Sequence, residues 1–182
     1  MANKKITELT ALASPASDDV LAIVDVSGTA ETKKITVANL TAGTSGVLTQ
    51  ATTTVANAAV LTMKYNNAPI TLVAAEAGKI IVPVACVIVG VHAGSNESSS
   101  DNLLIGYDAA TSGAFDSVIS IRDWMNAVSS GTQTLCVGPS TTSAATALPA
   151  SAVNEPLQAW CSDVFNGGWS MTIYTSYYKI TV

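Results

Sequence analysis

His92 is the sole histidine of this 182-residue chain. A metal site built from several imidazoles is therefore excluded, and any Cys–His nucleophile pair would have to use this one ring. It closes the apolar run Ile80–Val91 just before Ala93-Gly94, a place that suits the end of a strand better than a general base. Cys86, Cys136 and Cys161 are odd in number and widely spaced, with no CxxC, so they read as reduced cysteines packed among apolar side chains. Asp101, Asp108, Asp116 and Asp123 recur at a regular spacing. They flank strand-like segments, where turns place Asp in any case, and form neither a calcium-loop pattern nor a carboxylate dyad. No GxGxxG, P-loop or GxSxG occurs. No catalytic residue, metal site or cofactor is expected from these residues.

Recognition by stacking is the remaining chemistry. Trp124, Trp160 and Trp169 could present flat faces to a sugar or to another protein chain. In a chain only 5% aromatic, the competing reading is that they anchor the core or a contact between subunits.

Whatever positions these residues is poor in charge. Hydrophobic residues make up 48% and charged residues 12%, about half the charged share of ordinary soluble domains. The polar surface must then be Ser, Thr, Asn and Gly, which guards weakly against association, and copies of the chain or another partner are expected to cover part of it. The net charge of −5 argues against nucleic acid, because phosphate binding needs clustered Lys and Arg. No membrane span is expected, since Ile80–Val91 is about half the length that a spanning helix needs. The opening "MANKKITELT" has no apolar core of a secretory signal.

Nine of the 21 charged residues precede Ala42-Gly43-Thr44-Ser45-Gly46. This composition shift marks a linker and divides the chain into an arm, residues 1–46, and a larger domain, residues 47–182. In the arm, Ile6, Leu9 and Leu12 suggest a short helix closed by Ser14-Pro15. Val20–Val26 reads as a strand, Ser27-Gly28-Thr29 as a turn, and Ile35 and Val37 as part of a returning strand. A lone hairpin is marginal in water, so its apolar positions need cover from elsewhere.

The larger domain reads as short strands separated by turn residues. Ala59–Tyr65, Ile70–Ala74, Lys79–Val91, Leu103–Tyr107, Phe115–Ile121, Leu135–Val137, Leu157–Cys161 and Met171–Val182 are the expected strands. A bulge between Tyr174 and Ser176 would reconcile the two parities of the last one. About eight strands and no long amphipathic helix predict an all-β fold, an antiparallel β-sandwich of jelly-roll type with a short helix-plus-hairpin arm.

The stretch "KKITELTALASPASDDVLAIVDVSGTAETKKITVANL", Lys4–Leu40, resembles an N-terminal segment recurrent in virion proteins of tailed bacteriophages, of head-fibre, decoration and tail-fibre type. "APITLVAAEAGKIIVPV" and "NEPLQAW" followed by "NGGWSMTIYTSYYKITV" resemble β-rich structural domains of the same viruses, although Glu76 stands where such domains usually carry Pro. The resemblance implies a homotrimer located on the virion, made in the host cytoplasm and bound to a virion shell protein. With an arm leading straight into one domain and no long shaft between, a capsid decoration, cement or short head-fibre protein is expected. The attachment residues would be Val20, Leu21, Ile23, Val24, Val26, Ile35, Val37 and Leu40. The alternative is a tail-fibre or adhesin protein whose β-domain binds a host-surface glycan through the tryptophans, and a hydrolase comes a distant third.

Overall fold

A computed structural model of the chain describes residues 20–25, 31–36, 47–107, 117–126, 128–139 and 152–182. The chain divides into two compact units, residues 1–45 and 46–182. In the first, β1 (Val20–Asp25) pairs antiparallel with β2 (Glu31–Thr36), with Leu21 opposite Ile35 and Ile23 opposite Lys33. The returning strand thus begins at Glu31. The expected lead helix, the turn, Val26, Val37 and Leu40 lie outside the described residues.

Among the described residues, the second unit holds two antiparallel four-stranded sheets. Its elements are β3 (Thr49–Val55), a single helical turn α1 (Asn57–Val60), β4 (Ile70–Val73), β5 (Lys79–His92), β6 (Leu103–Gly106), β7 (Ser117–Ile121), β8 (Gly131–Val137), β9 (Leu157–Cys161) and β10 (Trp169–Thr181). One sheet has the order β3-β10-β5-β8 and the other β4-β9-β6-β7. The chain is thus all-β, as its alternating segments predict. The pairs nest: β6 with β7, β5 with β8, β4 with β9, and β3 with β10.

Both sheets feed one core. Cys86, Ile88, Met171 and Ile173 from the first meet a cluster that includes Leu103, Ile105, Leu157 and Ala159 from the second, all of them at most 1% exposed. Removing a large aliphatic or aromatic side chain from water contributes about 1.5–3 kcal/mol, and this shared interior orients both sheets.

Two sequence expectations differ from the structure, and one strand is additional to those expected. Ala59–Tyr65 is not a strand: Val60 and Met63, both buried, stand three apart, the spacing of a helical turn, and α1 covers its start. Thr49–Val55 is a strand that its Thr-rich sequence does not announce; it is an edge strand burying only Val55. The register shift beside β10 falls between Ser176 and Tyr177, where Ser176 pairs with Ala85 and Tyr177 with Pro83. The extra residue is therefore Val84 on β5. The odd-numbered residues of β10 stay buried from Trp169 to Tyr177, and Tyr178 and Ile180 take the opposite side without any switch of parity.

Candidate interaction surface

The residues that could do chemistry are absorbed into the scaffold. His92 ends β5, is 8% exposed, and its Nε2 lies 3.0 Å from the carbonyl oxygen of Ser95. Cys86 and Cys161 are buried free thiols. Burial pushes the thiol pKa of both up, to about 12 for Cys161, which keeps them protonated and weakly nucleophilic. Cys136 departs from the expected packing: it is exposed on the edge strand β8. Asp101 accepts from Ser162 Oγ and from Val164 N, at 3.2 Å each, and so ties two loops together. Asp123 sits in the turn after β7 with φ of 49°, while Asp108 and Asp116 lie outside the described residues. Among the described residues no group of three or more His, Cys, Asp and Glu could hold a metal ion, and no helix is long and apolar enough to cross a membrane.

The three tryptophans are buried within the chain: Trp124 at 4% exposure, Trp160 at 0% and Trp169 at 1%. None offers a free face for stacking. Trp169 packs edge-on against Phe165 at 5.0 Å and against Trp124 at 6.4 Å between ring centroids, an arrangement that favours the ring quadrupoles. Trp124 and Met125 are consecutive yet both buried. The positive φ values at Asp123 and Met125 break the strand alternation that would have turned one of them outward. Trp160 lies with Leu104 on the outer side of the second sheet, and Tyr65 packs against them. The segment after α1 therefore covers part of that sheet.

A polar centre that the sequence does not reveal is Glu97, 2% exposed in the loop between β5 and β6. Its carboxylate accepts from Ser99 N (2.9 Å), Asn166 N (3.1 Å), Gly167 N (2.9 Å) and Trp169 Nε1 (2.9 Å). Burial disfavours the charge, but these donors outweigh it and hold the carboxyl below its ordinary range. Gly167 and Gly168 allow the approach: a Cβ on Gly167 would stand 2.9 Å from Glu97 N, and one on Gly168 only 2.6 Å from Gly94 Cα. The "NGG" of the sequence is thus a packing requirement. At the far end of β5, Glu76 bridges Lys79 (2.5 Å) and Lys179 (2.7 Å). These hydrogen-bonded lysines lower its pKa to about 2.

With these groups committed to structure, the distinctive outer surface is that of the β3-β10-β5-β8 sheet. Antiparallel sheets usually turn polar residues to water, but β5 is apolar on both sides. Its inward residues include Cys86 and Ile88, and its outward ones are Val82, Val87, Val89 and Val91 together with the bulged Val84. Val84 and Val91 are 40% and 41% exposed, and Tyr174 beside Val87 is 37% exposed. The rows continue through Thr52 and Thr54 on β3 and through Cys136 and Thr134 on β8. No Asp, Glu, Lys, Arg or His occupies this side between Val82 and Val91 or on the strands facing them.

Of the expected attachment residues, Val20 is 55% exposed and Ile35 is half-buried, while Leu21, Ile23 and Val24 lie in β1. Leu21 and Ile23 share one parity of that strand, and Val20 and Val24 the other.

Comparison with known protein families, with curated proteins and with solved structures finds no match to this chain.

Proposed function

We propose that this chain is a non-enzymatic structural protein of a bacteriophage virion, a capsid decoration, cement or short head-fibre protein. In this reading its second unit is a β-sandwich of jelly-roll type, it self-associates, and its N-terminal unit attaches it to a virion shell protein. The observation that carries the reading is the nested strand order. Four pairs, from β6·β7 outward to β3·β10, are what a single long hairpin gives when it is rolled into two sheets. The jelly-roll reading rests on this order, and that architecture is used in viral capsid and lectin domains. Fold alone does not define function, and the step from architecture to virion is by analogy. The resemblance of Lys4–Leu40 to phage attachment segments and the charge-free face of the first sheet support it.

A decoration protein stabilises a particle by bridging shell subunits and adding contact area that exists only in the assembled state. Between this role and a glycan-binding adhesin, the burial of Trp124, Trp160 and Trp169 favours decoration, because glycan stacking needs an exposed aromatic face.

Co-sedimentation with particles that lack the protein tests the reading. The full chain should bind, and a Leu21→Asp, Ile23→Asp variant, altered on one parity of β1, should bind at least about a hundredfold more weakly, because each charge would enter an apolar contact unpaired. Wild-type protein that fails to bind such particles, or a folded variant that binds as well as wild type, would overturn attachment through the hairpin.

A further inference from the structure

The proposed self-association leaves open which surface brings the copies together. We infer that copies of this chain meet through the solvent side of the β3-β10-β5-β8 sheet, with the outward valines of β5 at the centre of the contact. This rests on the reading of the chain as self-associating and names the surface responsible; a face set against its own counterpart joins copies in pairs about a twofold axis, so the assembly it gives is a dimer in place of the trimer that the resemblance of Lys4–Leu40 implies.

The first observation is the pattern of β5. A strand with water on one side alternates apolar and polar residues, whereas Val82, Val87, Val89 and Val91 all point away from the core. The second is the contrast with the other sheet. There the outward Trp160 and Leu104 are covered by Tyr65 of the chain's own segment after α1, whereas Val84, Val91 and Tyr174 of the first sheet remain 37–41% exposed.

Size and charge point to a second copy as the occupant. Four strands about 4.8 Å apart, facing outward over about eight residues of about 3.4 Å rise, give roughly 500 Å² in projection. Two such faces contribute about 1,000 Å², the size at which specific interfaces begin. The chain carries a net charge of −5, so copies repel through most of their surface. This side holds no Asp or Glu to set against its counterpart, and it offers a basic partner no carboxylate to pair with. Rows of Thr and Val are also shallow and similar in height, which lets one sheet lie flat against another.

Sedimentation of the full chain over a micromolar concentration series tests the inference. Wild-type protein should associate. Val87→Lys at the centre of the face and Thr134→Lys at its β8 edge should each raise the dissociation constant at least about a hundredfold, with unchanged far-ultraviolet circular dichroism. Ser120→Lys, an exposed position on the other sheet, should leave association as it is. If Val87→Lys fails to fold, Thr134→Lys carries the test, because its side chain is exposed in the single chain. A wild-type chain that stays monomeric throughout overturns self-association and this surface together. Association that survives in both folded Lys variants, or that Ser120→Lys abolishes, overturns this surface alone.

Discussion

The indole nitrogen of Trp169 donates to the carboxylate of Glu97 at 2.9 Å across 72 residues of sequence. That contact joins the loop leaving β5 to the start of β10, the two longest strands among the described residues. With Gly167 N and Asn166 N on the same carboxylate, one buried charge organises the whole turn before β10.

Glu97→Ala should destabilise the protein by about 3–5 kcal/mol, because it leaves several buried donors without an acceptor. Glu97→Gln keeps one oxygen but turns an amide toward N–H donors, and should cost about 2–3 kcal/mol. Urea unfolding followed by tryptophan fluorescence measures both. A loss below about 0.5 kcal/mol in Glu97→Ala would mean that water replaces the carboxylate at no cost.

Acid should loosen the fold in a defined window. The carboxyls of Glu97 and Glu76 are held below their ordinary value of 4.5 in the folded chain. Protons therefore bind more readily to the unfolded state, and the stabilisation is fully present above pH 4.5 and lost as pH falls through the lowered folded-state values, about 2 in the case of Glu76. The Glu76 share is exposed to solvent and should fade in high salt, whereas the Glu97 share is buried and should not. Thermal melts across this range, at low and high salt, should show a steeper fall for wild type than for Glu97→Gln. Equal slopes in the two proteins would remove Glu97 from the acid response.

Gly168→Ala should be destabilising by about 1–3 kcal/mol or more, since its Cβ would come within 2.6 Å of Gly94 Cα and 2.7 Å of Ser95 N, with backbone on both counts. Gly138→Ala is the matched control. Its Cβ would meet only the carbonyl oxygen of Val84, at 3.4 Å, and the change should stay within about 0.5 kcal/mol. Paired thermal melts compare them, and equal losses would refute the close-approach explanation.

The long central strands were legible because their chemistry is one-sided and continuous. Ile80–Val91 and Met171–Val182 could hardly be anything but strands of a buried sheet. Thr49–Val55 was not, because an edge strand with a single buried residue has no apolar period to read. Met63 falls on the alternation of Ala59–Tyr65, which reads as a strand, whereas the decisive spacing is the three residues from Val60. The tryptophans read from sequence both as a stacking surface and as anchors of the core or of a subunit contact, and only their burial separates the two. Glu97 left no trace at all. It sits in "AGSNESSSD" like any loop acid, and its role depends on Asn166, Gly167 and Trp169 arriving from a distant segment.

The nested order has a bearing on how the protein is made. β10 lies between β3 and β5, so β3 has no partner and β5 has only β8 until residues Trp169–Thr181 have left the ribosome. At about 5–20 residues per second, β3 and the doubly apolar β5 wait on the order of ten seconds for it. During vectorial synthesis the nascent chain therefore carries Val82–Val91 with both sides open, which makes it a client for holding chaperones. Closure then comes in one late, long-range step, and the fold belongs among the slow ones for its size.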